Sequence, residues 1–346
     1  MPVPGNWEFN GFGIPMYVNN GFGFPVKPPY INKEDSPTGA YRQEFNLPTN
    51  WDGRKVFLHF EGGTNSMYVW INGQKVGYTE NAKSPAEFEI TKYLKPGKNL
   101  LACQVHKFSD GTYLEDQDMW RLGGINRNVY LYSTDNVRIA DFFAKPDLDA
   151  KYKNGSLNVD VSLKNLTSTS VNNQKLIAKL VDASGKNVFT KELNVNFEAS
   201  KIQTLNFAQN VSSPKLWSSE TPNLYTLVLT LKNAKGEIVE TVATQIGFRK
   251  VELKGGQLLV NGVRLMVHGV NIHEHNPETG HYQDEATMMK DIKMMKQLNI
   301  NSVRCSHYPN NILWVKLCNK YGLFLVDEAN IESHGMGVEG QPLIWM

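Results

Sequence analysis

The sequence predicts a multidomain chain: a jelly-roll-like β-sandwich over residues 1–135, an immunoglobulin-like β-sandwich over 136–248, and the first strands and helices of an incomplete (β/α)8 TIM barrel over 249–346. Three observations predict it. Short alternating stretches separated by turn residues run from Tyr41 to Ser133, and a second set of about seven, spaced ~10 residues apart, runs from Asn136 to Gly247. After Phe248 the pattern changes, and strands alternate with helices.

In the first segment the strand candidates are YRQEFNL, KVFLHFEG, SMYVWINGQKVGY, AEFEITKYL, NLLACQVH and NVYLYS. The Asn72-Gly73 pair inside the third is a hairpin signal, because both residues tolerate the positive φ of a type I′ turn. In the second segment, SLNVDVSLKN, QKLIAKLVDASGKNVFTKEL, TLNFAQNV and LYTLVLTLKNAKGEIVETVATQIGF alternate at period two between Ala-Ser-Gly and Ala-Lys-Gly turns. This fits an immunoglobulin-like sandwich without its disulfide, read as a structural spacer. In the third segment LLVNGVRLMVHGV is a hairpin leading into a strand. DEATMMKDIKMMKQLN then places Met288, Met289, Ile292 and Met295 on one helix face behind an Asp284 N-cap. The strand NSVRCSH follows, then a helix ending at Gly322 in the left-handed cap position, then the strand LFLVDEAN. A whole barrel takes ~250 residues, and only about 98 follow Phe248. A fragment or a truncated gene product is therefore expected.

The net charge of +2, from 36 basic and 34 acidic residues without long like-charge runs, gives no reason to invoke nucleic acid or an anionic membrane as partner. Cys103, Cys305 and Cys318 form no CxxC pair, so they read as buried thiols rather than a disulfide framework or a zinc site. No apolar run approaches the ~20 residues of a spanning helix, and the first residues lack the charged and apolar regions of a signal peptide.

Six of the eight histidines lie between His268 and His334. Each barrel strand delivers polar groups just past its end: His273, Glu274 and His275, then Arg304, Ser306 and His307, then Asp327, Glu328, Glu332 and His334. Side chains at the C-terminal ends of barrel strands converge on one mouth, so three clusters in register point to a site where a single loop histidine would not. If its stretch stays extended, Glu332 shares a face with His334. A carboxylate and an imidazole make a partial divalent-cation site, and oxygen-rich surroundings favour magnesium over zinc. Upstream, YLEDQDMWR gathers Glu115, Asp116 and Asp118 beside Trp120 and Arg121 in an expected loop of the first sandwich. This is a solvated acidic loop with an Arg partner, or a sugar-holding set of ring face and carboxylates that needs the loop to reach the barrel mouth.

PPYINKEDSPTGAYRQEF, YLEDQDMWRLGGINRNV, PKLWSSETPNLY, HGVNIHEHNP, MMKQLNINSVRCSHYPN and YGLFLVDEANIESHG occur in one order across nearly all of the chain. Together they resemble the large bacterial β-galactosidases of glycoside hydrolase family two. The related β-glucuronidases and β-mannosidases also have an SHYP-like strand, whereas YLEDQDMWR and DEANIESHG are galactosidase-like. The family's arginine before GVN is His268 here.

The resemblance implies retaining hydrolysis of terminal β-galactosides such as lactose, and a homo-oligomeric parent roughly three times this length. It implies that His273 and His307 contact the sugar and stabilise the transition state. Glu332 and His334 would ligate an active-site magnesium ion (Mg2+), Asp118 would touch galactose hydroxyls and a sodium ion (Na+), and Asn19 would reach the same pocket. The family's two catalytic glutamates lie on later barrel strands. Asp327 and Glu328, adjacent on a strand, point to opposite faces and cannot replace them. The chain alone is accordingly expected to be inactive. The competing class is a non-enzymatic carbohydrate-binding or scaffold protein, which would carry its aromatics on an open sandwich face.

Overall fold

The computed structural model describes residues 1–19 and 21–336, and these form two compact units. One comprises residues 1–133, 269–316 and the chain from 325 onward, and the other comprises 134–268 and 317–324.

In the first unit a four-stranded antiparallel sheet is ordered Thr38–Asn46, Lys98–His106, Ser66–Ile71, Gln74–Glu80. A three-stranded sheet is ordered Val129–Thr134, Lys55–Phe60, Ala86–Glu89. Alternate apolar residues of these strands, Val56, Leu58, Phe60, Met67, Val69, Ile71, Cys103 and Val105, close the core with Trp7 and Ile125. That is the alternation a half-buried strand requires. Asn72 (φ 51°) and Gly73 (φ 81°) form the hairpin turn between Ser66–Ile71 and Gln74–Glu80 as expected. Two short ribbons complete the sandwich: Gly5–Asn6 on Gly124–Ile125, and Met16–Val18 on Met119–Arg121. The second ribbon corrects the expectation that YLEDQDMWR is a loop throughout, because its last residues pair as a strand.

The barrel part has a sheet of three strands in sequence order, Gly269–Ile272, Ser302–Cys305 and Phe324–Val326, and the first two run parallel. The helix between them, Glu285–Gln297, starts at Asp284, whose side chain accepts from Thr287 N at 2.8 Å. It buries Met288 and Ile292, with Met289 and Met295 half-buried beside them. A second helix, Ile312–Tyr321, precedes Gly322. Gly322 takes φ +76°, and a Cβ there would lie 2.3 Å from Ser219 O, so both conformation and space demand glycine.

The second unit packs a three-stranded sheet, Val137–Leu148, Gly155–Asn165 and Ile202–Val211, on a four-stranded one, Asn187–Phe197, Val171–Val181, Tyr225–Lys232 and Ile238–Ile246. Its core is built by period two alone: Leu157, Val159, Val161 and Leu163 face Leu176, Ala178, Leu180, Leu227, Leu229 and Leu231, all fully buried. Trp217 anchors one end, with its ring edge on Phe324 and its Nε1 donating to Asn319 O at 2.8 Å. No disulfide is present among the described residues, and all three cysteines are buried.

Candidate active site

The question left by the sequence is whether the YLEDQDMWR segment reaches the ends of the barrel strands. It does, through backbone pairing. Glu332 N donates to Leu114 O (2.7 Å) and Asp116 N donates to Glu332 O (2.8 Å), which makes a parallel bridge between Glu115 and Glu332. Gln117 Nε2 then donates to Asn330 Oδ1 (2.9 Å), and Gly335 N donates to Asp116 Oδ2 (2.5 Å). A Cβ on Gly335 would stand 2.4 Å from that same oxygen, so glycine lets the two segments close. The segment after the third barrel strand is thus zipped onto the first sandwich.

This arrangement sorts the three carboxylates. Asp116 is fully buried and ion-paired with Arg121; burial pushes its carboxyl up, and Arg121 and the Gly335 and Gly21 amides pull against that. Glu115 accepts from Asn65 Nδ2 and Ala82 N, and burial pushes it up to about 8. Asp118 alone stays on the open face of its ribbon, where Tyr17 Oη donates to Oδ1 at 2.5 Å. With its amide nitrogen turned to the carboxylate, Asn19 donates to Asp118 Oδ2 at 2.7 Å. Tyr17 and Asn19 from one strand, and Asp118 and Trp120 from the other, share this face because alternate residues of a strand do. The Tyr17 and Trp120 rings meet edge-on at 5.6 Å. The acidic segment is not the solvated loop of one reading, because its Asp116–Arg121 pair is buried, while Asp118 is an open carboxylate beside aromatic rings. Tyr17 was missed in the sequence, although its two-residue spacing from Asn19 carried the signal.

The barrel strands contribute unequally. Glu274 is buried and accepts from Lys83 Nζ (3.1 Å), Arg127 Nη2 (2.8 Å) and Asn311 N (2.5 Å). Burial pushes its carboxyl up, but the two cations outweigh that and hold it below the usual range. It is a structural counter-ion, which corrects its placement among the polar groups at the mouth. His275 meets buried His281 edge-on at 6.0 Å. His273 and His307 do come together, at 5.8 Å between ring centres. Burial, then the neighbouring His307, lowers the pKa of His273. His307 Nδ1 lies 3.0 Å from Glu328 Oε2, and Glu328 also pairs with Arg304.

Glu332 Oε2 stands 3.9 Å from His307 Nε2, and Glu332 Oε1 stands 3.9 Å from His334 Nδ1. The chain turns into a short 3-10 helix at His334, so the stretch is not extended through both residues, yet their side chains still face each other. Glu332 Oε2 and His334 Nδ1 are shielded from solvent and have no hydrogen-bond partner. A carboxylate oxygen and, in the tautomer that leaves Nδ1 bare, an imidazole nitrogen are both atoms that a cation could satisfy. Among the described residues no group of three or more His, Cys, Asp or Glu side chains could hold a metal ion, so this pair does not make a complete site.

Comparison with known proteins gives one answer along the chain. Residues 1–135 match the glycosyl hydrolases family 2 sugar binding domain, 137–249 match glycosyl hydrolases family 2, and 251–341 match its TIM barrel domain. A β-galactosidase of Priestia megaterium is 42% identical over 338 residues, 96% of this chain and 33% of that protein. One from Vibrio cholerae is 43% identical over 341 residues, 97% of this chain and 33% of that protein. The chain thus spans about a third of the length of the curated relatives it matches. In fold it is similar to a Bacteroides uniformis β-glucuronidase, with a TM-score of 0.79 at 22% identity, covering 96% of this chain and 38% of that one. A family 2 member from Bacteroides cellulosilyticus has a TM-score of 0.77 at 24% identity, covering 84% and 40%.

Proposed function

Because the chain belongs to the glycosyl hydrolases of family 2, we propose that it carries the sugar-recognition half of a retaining β-galactosidase pocket. Its substrates are terminal β-galactosides such as lactose. The observation that carries this reading is the pairing of residues 114–117 with 330–335, which brings the segment that bears Asp118 against the one that bears Glu332, and Asp118 is near enough to act electrostatically on His273. In this reading Asp118 and Asn19 hydrogen-bond sugar hydroxyls. His273 and His307 flank the ring, and burial keeps His273 neutral, so it acts through hydrogen bonds rather than charge.

Glu332 and His334 would hold magnesium, and Asp118 would share a sodium ion with the sugar. When bound, the divalent ion supplies positive charge that favours ionised oxygen near the reacting carbon. Retaining hydrolysis needs two carboxyls ~5–5.5 Å apart. We assign both to residues beyond these 346, because Glu328 is held by Arg304 and His307 and Asp118 is engaged by Tyr17 and Asn19. A uronic acid, the substrate part that distinguishes a β-glucuronidase, would set a carboxylate against Asp118, and like charges at that range repel.

Calorimetric titration tests the proposal. The chain should bind a β-galactoside and not a β-glucuronide, Asp118→Ala should weaken binding at least ~10-fold, and a chromogenic β-galactoside should not turn over. Turnover that Glu332→Ala abolishes would overturn the assignment of the reacting carboxyls. Equal binding of the glucuronide would overturn the choice of sugar.

A further inference from the structure

We propose that Glu328 is a positioning residue that fixes the tautomer of His307, so that the neutral ring carries its proton on Nδ1 and presents Nε2 to the sugar as an acceptor. This rests on the reading of His307 as a sugar contact. His307 Nδ1 lies 3.0 Å from Glu328 Oε2, within hydrogen-bond reach, whereas His307 Nε2 lies 3.9 Å from Glu332 Oε2, beyond it. Two carboxylates compete for one ring proton, and the one in contact wins.

Glu328 is suited to the task because its other oxygen, Oε1, is held by Arg304 Nε. A carboxylate gripped on both sides cannot rotate away, and it accepts from the ring without supplying a proton. Burial pushes the Glu328 carboxyl up, but the hydrogen bonds from Arg304 and His307 outweigh it and hold the group below its ordinary range. The side chain is thus an acceptor throughout the neutral pH range. Arg304 lies on the second barrel strand, and His307 and Glu328 each lie two residues past the ends of neighbouring strands, so the three stand close to the sheet.

His273 provides an internal contrast. Its Nδ1 faces Tyr308 Oη at 3.4 Å, and that oxygen already accepts from Glu274 N at 2.9 Å. The tyrosine hydroxyl hydrogen is therefore available to the imidazole. Among the described residues no carboxylate is hydrogen-bonded to the His273 ring, on which Asp118 acts only through its charge, so nothing about Glu328 should govern its tautomer.

The experiment is nitrogen NMR of the 346-residue chain with ring-15N histidine, recorded without metal or sugar at one alkaline pH where the imidazoles are neutral. His307 is assigned by loss of its signals in His307→Gln. The expected spectrum shows His307 Nδ1 protonated and Nε2 with the shift of a bare ring nitrogen. In Glu328→Gln that pattern collapses toward the Nε2-protonated form, Glu328→Asp restores it in part, and the His273 signals stay in place. A wild-type His307 protonated on Nε2 overturns the proposal outright without reliance on any variant. So does a Glu328→Gln spectrum with the His307 pattern unchanged. The readout contains no sugar, so failure of galactoside binding and failure of this assignment are separate results.

Discussion

Two charge clusters sit at the ends of the same barrel strands, and they are built on opposite principles. Around Glu274 the charges are paired within the chain: Lys83, Arg127 and the Asn311 amide converge on one buried carboxylate, although Arg127 Nε keeps no hydrogen-bond partner. Around Glu332 the charges are only half met, with Glu332 Oε2 and His334 Nδ1 shielded yet without hydrogen-bond partners. Burial of a polar group costs free energy unless it is paired, so a folded chain keeps an unpaired one where something other than folding requires it. The first cluster is ion-paired within the chain, and the second leaves two atoms for which the described residues offer no partner.

The largest test of that contrast is to remove one carboxylate from each. Glu274→Gln leaves Lys83 and Arg127 buried without their counter-ion, and breaking a buried pair in this way costs ~3–5 kcal/mol. Glu332→Gln removes a charge that makes no close ion pair among the described residues, with His307 and His334 at 3.9 Å and Arg121 acting only through space, so stability should change by less than ~0.5 kcal/mol. Urea unfolding followed by tryptophan fluorescence measures both. Equal losses would show that the open cluster is as structural as the closed one.

A smaller effect concerns Glu115, which lies beside the site but inside the sandwich. Burial raises its carboxyl to about 8 from the ordinary 4.5, so the fold prefers the protonated form. The sign follows from proton counting: between those two values the native state binds the proton and the unfolded state does not. The stability that Glu115 contributes is full below about pH 4.5 and is lost as pH rises toward 8. The slope is at most ~1.4 kcal/mol per pH unit. Glu115→Gln should flatten the wild-type decline between pH 6 and 8 (~1.4 kcal/mol per unit at most), measured as the difference in urea midpoints at the two ends. Parallel pH profiles in the two proteins would mean that Glu115 is ionised in the fold.

Much of this was legible in the sequence, for reasons that differ by element. The second sandwich could be read strand by strand because its core obeys period two without exception from Leu157 to Leu163 and from Leu227 to Leu231. The Asn72-Gly73 turn, the Asp284 cap and the Gly322 helix end were legible because each depends on a residue's own backbone chemistry. The roles of Glu274 and Glu328 were not. Both look like further polar groups at strand ends, and only the arrival of Lys83 and Arg127, or of Arg304 and His307, from elsewhere in the chain tells a counter-ion from a positioning group. The same holds for Asp116 and Asp118, two residues apart and indistinguishable until Arg121 takes one of them.

The smallest expected effect bears on what fills the half-met cluster. A ligand that binds only the folded state stabilises it by RT ln(1 + [L]/Kd), about 1.4 kcal/mol at ten times Kd. Magnesium at that level should raise the unfolding midpoint of the chain by about 2 °C, and Glu332→Gln should abolish the rise while Glu115→Gln keeps it. The pairing of variants matters because both replace a carboxyl at the two residues of the same bridge, so a general effect of substitution there is told apart from loss of the Glu332 oxygen. A rise that survives Glu332→Gln would place the ion elsewhere and leave Glu332 Oε2 and His334 Nδ1 to be satisfied by the sugar or by water. A rise that only Glu332→Gln removes would show that the unmet atoms beside His307 are cation ligands, and would explain why the fold tolerates them bare.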